Sequence, residues 1–307
     1  MAATPEARRR RDAGRAGRAP TEQRLGWYLC APALGVMFAV TAYPMLQALW
    51  LSLQSYRLTD PDSRRFVGLD NYVLILTDAL WWQTVGVTLL ITVITVTAEL
   101  VLGFALALVM HRIVFGRGIV RTAILVPYGL ITVVSAYAWL YAFRADSGFV
   151  PGWLGLDDYD FFSQFGSSLL VICLSEIWKT TPFVSLLLLA GLAQIPEELH
   201  EAAKVDGATA WQRIYKVTLP NMRGAIMVAA LFRTLDAYRI FDNVFVMTGG
   251  ANNTETVAFL AYRQIISRTA VGLGSAVSVL LFVTVVLIAF VFVKVFGTDL
   301  SQVRGER

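Results

Sequence analysis

The chain of 307 residues is 56% apolar and 16% charged, and its apolar residues gather into long uncharged runs that a water-soluble domain does not need. Its net charge of +4 is local: residues 1–24 hold seven Arg against three acids, and removing them from the totals of 26 and 22 leaves 19 basic and 19 acidic residues. That balance excludes a basic nucleic-acid surface and points to a protein of the lipid bilayer.

Residues 1–24, with Arg8, Arg9, Arg10 and Arg11 among Ala, Gly and Pro, lack the apolar content to fold. They also lie too far from a cleavable apolar core to read as a signal peptide, and are expected to form a disordered basic tail beside anionic lipid. Six runs long enough to span follow, at 26–52, 84–110, 119–143, 168–192, 219–247 and 271–296, each near the roughly 20 residues that a helix needs to cross the hydrocarbon. The fifth is interrupted by Arg233, Asp236, Arg239 and Asp242. Residues 111–121 carry Arg112, Arg117 and Arg121 without an acid, and the tail at 298–307 ends with Arg304 and Arg307, so these segments belong inside the cell. The 144–167 connection, with Asp146, Asp157, Asp158 and Asp160 against Arg144, suits the outside. The expectation is an all-α polytopic protein of the cell membrane with six transmembrane helices and both termini cytoplasmic.

Few parts for chemistry are present. Cys30 and Cys173 fall inside apolar runs, and His111 and His200 are the only histidines, so neither a metal site nor a catalytic constellation is assigned. No G-x-x-x-x-G-K-[ST] loop occurs, and energy from ATP must therefore come from a partner.

The long polar interruption at 193–218 separates the fourth and fifth runs. Pro196 suits the first turn of a helix, where its missing N–H has no intrahelical acceptor, and Glu197 and Glu198 favour the positive end of the dipole. The helix is expected to run through Glu201, Ala202 and Ala203 and to end at Gly207, which tolerates the left-handed conformation. Within the spans, uncompensated charge is costly, so Glu99, Glu176, Lys179, Arg233, Asp236, Arg239 and Asp242 should face the bundle interior or a wet cavity. Glu176, Lys179, Thr180 and Phe183 recur at i, i+3, i+4 and i+7, and Asp236, Arg239 and Asn243 share a face in the same way. With Tyr128 and Thr132 these faces make a sugar site, in which rings stack on pyranose faces and polar groups meet hydroxyls. The competing reading is ion pairing that holds helices together, Glu176 with Lys179 or Asp236 with Arg233 or Arg239. Glu99, alone on its span, reads as a structural partner for such a cation.

Glu201-Ala202-Ala203-Lys204-Val205-Asp206-Gly207, followed by Val217-Thr218-Leu219-Pro220, resembles the EAA loop with which ABC-importer permeases dock onto a cytoplasmic ATPase. Val217 stands where the motif usually has Ile. Phe66-Val67-Gly68-Leu69-Asp70-Asn71-Tyr72, Leu125-Val126-Pro127-Tyr128, Trp178 with Pro182, and Thr248-Gly249-Gly250 are similar to segments of the maltose-type carbohydrate subfamily. Within it the chain looks most like the first permease subunit of actinobacterial trehalose importers. The resemblance covers nearly all of 25–297 and implies a type I importer permease domain with a coupling loop at 193–218. Glu201, Ala202, Ala203, Asp206, Gly207, Leu219 and Pro220 are the implied ATPase-coupling residues. Tyr128, Thr132, Glu176, Lys179, Thr180, Phe183, Asp236 and Arg239 fall where the family contacts its sugar, although several of these positions are amide or apolar in the maltose protein. The implied partners are a second homologous permease, two copies of an ABC ATPase that uses ATP and Mg, an extracytoplasmic sugar-binding lipoprotein and a disaccharide. Maltose, another α-linked oligosaccharide or glycerol phosphate is the alternative cargo. A polytopic membrane enzyme would explain only the buried carboxylates, and a self-contained carrier would leave the docking loop idle.

The charge bias makes a direct prediction. With Cys30 and Cys173 removed, single cysteines at positions 5, 115 and 205 should resist an impermeant thiol reagent in intact cells, whereas those at 62, 155 and 253 should label; labelling of 205 from outside would overturn the orientation.

Overall fold

The computed structural model describes residues 19–113, 116–157 and 159–296. Residues 1–18 of the expected basic tail, and the expected C-terminal tail at 298–307, lie outside the described residues. Residues 19–24, assigned above to the tail, are instead helical.

The chain divides into two compact units, 1–51 and 52–307. Among the described residues the first is helix α1 (Ala19–Ser52) up to Leu51, with no single apolar face. From Arg24 onward it has 29 residues, about 44 Å at 1.5 Å per residue, which exceeds the roughly 30 Å of hydrocarbon.

The second unit opens with a hairpin, the one departure from all-α among the described residues. Strand β1 (Gln54–Arg57) pairs antiparallel with β2 (Asp60–Phe66), Gln54 opposite Phe66. Asn71, at the start of α2 (Asp70–Thr77), donates to the carbonyls of Ser52 and Gln54 at 2.7 and 2.9 Å, and so ties the hairpin to the helix that follows. Helix α3 (Ala79–Arg112) begins at Asp78, whose side chain accepts from the Leu80 N–H. It packs along α7 (Phe165–Leu192). Gly103 permits the contact, because a Cβ there would lie 2.9 Å from Val184 Cγ1. One end of this pair is filled by Ala107, Met110, Val184, Leu188, Met222 and Ala229, and the other by Ile91, Val171, Ile172 and Val244. A stripe of Thr84, Thr88, Thr92 and Thr95 is buried along α3. Thr88 and Thr92 each donate to the carbonyl four residues back at 2.7 Å, so their polar groups are satisfied within the helix.

Two of the predicted runs are not single helices. Run 119–143 becomes α4 (Arg117–Gly129) and α5 (Thr132–Phe143), bent by 85° across Leu130 and Ile131. Leu130 and Ile131 take extended backbone there, ψ 143° and 132°, which ends α4 and starts α5 in a new direction. Run 219–247 begins earlier and breaks later. Beyond the loop helix α8 (Glu197–Val205), α9 (Ala210–Arg213) passes through a π-helical segment, Ile214–Thr218, into α10 (Leu219–Asn221). The wider π turn accommodates Pro220, which cannot donate to the fourth residue before it. Helix α11 (Arg223–Ala237) then stops, and α12 (Asp242–Met247) resumes after Tyr238, Arg239, Ile240 and Phe241. The chain closes with α13 (Val257–Tyr262), a second π segment and α14 (Val271–Phe296). The short α6 (Phe149–Trp153) lies between α5 and α7.

Among the described residues, four continuous helices are long and apolar enough to cross a bilayer, and the bent α4–α5 pair brings the number to five. The expected fifth crossing at 219–247 does not meet that test as one helix, because its break at 238–241 interrupts the apolar run.

Candidate functional site

Arg233, on α11, is 1% exposed and lies among three carboxylates from three helices. Its Nε donates to Glu99 on α3. Its Nη2 is 2.9 Å from Glu99 Oε1 and 2.6 Å from Glu176 Oε1 on α7, and its Nη1 is 2.6 Å from Asp236 Oδ2 one turn along α11. Thr180 donates to Glu99 at 2.6 Å, and Asn243 Nδ2 donates to Glu176 Oε2 at 2.7 Å. The planar guanidinium with its fork of donors suits this arrangement, since each carboxylate can be met in a different direction. Glu99 is thus the structural partner of a cation that its isolation on the span implied. The expected Glu176–Lys179 pair does not form; Glu176 is occupied by Arg233 and Asn243.

A cavity of about 430 Å³ adjoins this node, within the roughly 300–1,000 Å³ of small-molecule sites. Tyr128, Thr132, Glu176, Lys179, Thr180, Asp236 and Arg239 line it. Phe183 does not: its ring lies behind Tyr128, stacked at 5.1 Å with planes 13° apart, so it supports the aromatic wall. Ile240, Phe241, Asp242 and Asn243 complete the lining.

Both breaks in the spans border the cavity. Tyr128 and Thr132 flank the bend between α4 and α5, while the extended turn 238–241 supplies Arg239, Ile240 and Phe241. Non-helical backbone is tolerated at membrane depth only where it is buried in protein or faces water. Here the Ile240 carbonyl, released by the end of α11, accepts from Thr256 Oγ1 at 3.0 Å. The break also brings Asn243 to Glu176.

Two kinds of charge meet the cavity. Glu176 is engaged by the node and Asp236 by Arg233, but the Asp236 side chain is 75% exposed and is the part of the node that cavity contents reach most easily. Lys179 is buried and its side chain makes no hydrogen bond or ion pair among the described residues; its ammonium lies 5.9 Å from the Tyr128 ring centre. Asn243 Oδ1 is buried and likewise unpartnered. An ammonium, an amide oxygen and a carboxylate in one aromatic-walled cavity can donate to and accept from a ring of hydroxyls.

The loop helix forms as expected, with Pro196 as its cap rather than its first residue. At its other end Asp206 is the cap, Gly207 has φ +77°, Gly207 N–H donates to Lys204 O at 3.0 Å, and Ala208 N–H donates to Ala203 O at 2.9 Å. This pair of bonds is the Schellman arrangement. Glu201, Ala202 and Asp206 are exposed, Ala203 is half-buried, and Leu219 and Pro220 lie in the short helix beyond the π segment. Val205, the last residue of this helix, is exposed within the quoted motif, and sequence reasoning missed Trp211 and Tyr215, whose side chains are exposed in the segment that follows. An aromatic pair four residues apart in a polar loop was the available signal.

A family profile described as binding-protein-dependent transport system inner membrane component matches residues 99–302. Over 283 residues, 92% of each chain, the sequence is 54% identical to the trehalose transport system permease protein SugA of Mycobacterium tuberculosis. It is 34% identical over 279 residues to the trehalose/maltose transport system permease protein MalF of Thermococcus litoralis, covering 89% of this chain and 94% of that one. A crystal structure of a bacterial ABC transporter involved in the import of the acidic polysaccharide alginate superposes with a TM-score of 0.76 at 21% identity, over 94% of this chain and 100% of the other. That likeness concerns the fold.

The node predicts an asymmetric mutant cycle. Arg233→Leu leaves three carboxylates facing one another and should cost about 3–5 kcal/mol, whereas Arg233→Leu with Glu99→Leu should recover part of that loss. Thermal unfolding of the purified chain in detergent measures both; a double variant no more stable than the single one would contradict the geometry.

Proposed function

The chain belongs to the binding-protein-dependent transport system inner membrane component family, and from that membership we propose that it carries a neutral disaccharide, trehalose, through the cavity beside Arg233. It is a non-catalytic permease subunit of an ABC importer, and ATP hydrolysis belongs to a separate subunit. The observation that carries the sugar reading is the cavity itself, where Tyr128, Lys179, Asp236 and Asn243 converge at two broken helices. The trehalose permease relative supports the choice of sugar. Maltose-like α-linked sugars are the second reading, favoured by the relative that takes both.

In the mechanism we infer, a binding lipoprotein delivers sugar to the outer face. Two ATPases close on ATP and Mg, press the loop helices of this chain and of a second homologous permease, and open the cavity outward; hydrolysis resets it inward. The exposed Val205, Trp211 and Tyr215 give the ATPase an apolar patch to cover. The broken α11–α12 segment serves as the remaining crossing, which gives six crossings with both termini cytoplasmic. Tyr128 provides a face on which a pyranose stacks, Lys179 donates to sugar oxygens, and Asp236 and Asn243 Oδ1 accept from hydroxyls.

Radiolabelled trehalose uptake in a strain lacking its own importer tests the site. Lys179→Ala and Asp236→Ala should each reduce uptake roughly 5- to 150-fold, the equivalent of about 1–3 kcal/mol for a polar group left unpaired. Membrane levels should hold, because Arg233 keeps Glu99 and Glu176. Full uptake by both variants would eliminate the cavity as the sugar site, and competition by maltose but not by trehalose would reassign the cargo.

Docking has its own test. Gly207→Val forces a β-branched residue to φ +77° and should abolish uptake and ATPase copurification with the membrane helices intact. Glu201→Lys should leave hydrolysis but uncouple it from uptake. Normal uptake by both variants at wild-type levels would remove the loop from the coupling role.

A further inference from the structure

A second cavity, of about 410 Å³, lies between the last turn of α3, the end of α7 and the loop helices α8 and α9. Both histidines of the chain, His111 and His200, line it together with Arg112, Lys204 and Arg213, and Glu197 is the one acid there. Three permanent cations therefore face a single carboxylate. Arg112 and Lys204 sit in the last turns of α3 and α8, where the negative dipole end favours a cation, and Arg213 stands where α9 runs on into the π segment. Arg213 Nε is buried and has no hydrogen-bond partner among the described residues, so it is a donor that water or a bound group in the cavity can meet. At His200 the imidazole is held below its ordinary range first by burial, and the neighbouring Arg213, His111 and Lys204 act in the same direction, with Glu197 opposing.

We propose that this cavity binds a phosphate group, presented by a free phosphate or by the headgroup of an anionic phospholipid, at the root of the loop helix. Guanidinium and ammonium donors converging with two imidazoles match a phosphate's several oxygens, and Arg forks suit it in particular. On the orientation inferred from the charge bias, the cavity opens at the cytoplasmic surface, where both sources occur. Because the bound group would join α3 to α8 and α9, its occupancy would stiffen the segment that bears on the ATPase.

The test uses the importer assembled with its partner subunits in phosphatidylcholine nanodiscs. One arm titrates radiolabelled orthophosphate at constant ionic strength; the other includes phosphatidylglycerol and reads its retention by native mass spectrometry. Saturable binding of either probe, weakened about tenfold or more in Arg112→Gln/Arg213→Gln, supports the proposal, and the arm that responds identifies the source. The variants His111→Gln and Arg112→Gln, both at the exposed end of α3, carry the same comparison where the double variant fails to assemble. No binding of either probe by the wild-type importer, or equal binding by the variants, would overturn it. Binding seen only after the ATPases are stripped away would also overturn it, since a partner carboxylate would then be the natural occupant.

Discussion

Arg233 has no aqueous alternative. Its guanidinium is buried, and three carboxylates from α3, α7 and α11 converge on it with Thr180 and Asn243 completing the set. Removing charges from water is expensive, and their mutual attraction offsets the cost only when the geometry is good and the remaining lone pairs are satisfied. The carboxylates of the node approach that condition by drawing donors from α7, α11 and α12. The node therefore fixes where the cavity lies, because Glu176 and Asp236 serve both. The node also leaves its surplus of acid toward the open side, where Asp236 is exposed and where Lys179 and Arg239 offset it.

The broken backbone belongs to the same economy of polar groups. A continuous helix keeps its carbonyls to itself, whereas the turn at 238–241 and the bend after Gly129 release backbone groups beside the cavity. One of them, the Ile240 carbonyl, is satisfied by Thr256. Beyond the break after Ala237, Asn243 on α12 donates to Glu176. Polar side chains, irregular backbone and open volume thus occur at one place because each makes the others tolerable in an apolar surrounding.

The loop and the cavity are joined by one stretch of chain. From α8 the Schellman turn at Gly207 leads into α9, the π segment and α10, and α11 then extends about 22 Å at 1.5 Å per residue before reaching the node's neighbourhood at its far end. The π turn retains helical hydrogen bonding past Pro220, with Met222 N–H donating to Thr218 O at 3.0 Å, so the chain stays coiled from α9 into α11. In the proposed mechanism this is the element that carries a push at the loop to Arg233, and the cationic cavity beside α8 lies at its root.

Much was legible in the residues themselves. Uncharged runs identify bilayer helices because hydrocarbon rejects charge, and Gly207 identifies the end of the loop helix because a Cβ disfavours its backbone conformation. Periodicity placed Glu176, Lys179 and Thr180 on one face of α7, which remains unbroken there. On α11 the same spacing joined Asp236, Arg239 and Asn243, and all three do line one cavity, but across a break after Ala237 that periodicity did not reveal. Arg233 shows the wider limit. Its sequence neighbours reveal Asp236 as a partner one turn away, but Glu99 and Glu176 lie 134 and 57 residues distant. Local spacing specifies which side chains share a helical face; which helices those faces meet, and so which charges pair and which remain free for a ligand, is decided only when the helices pack.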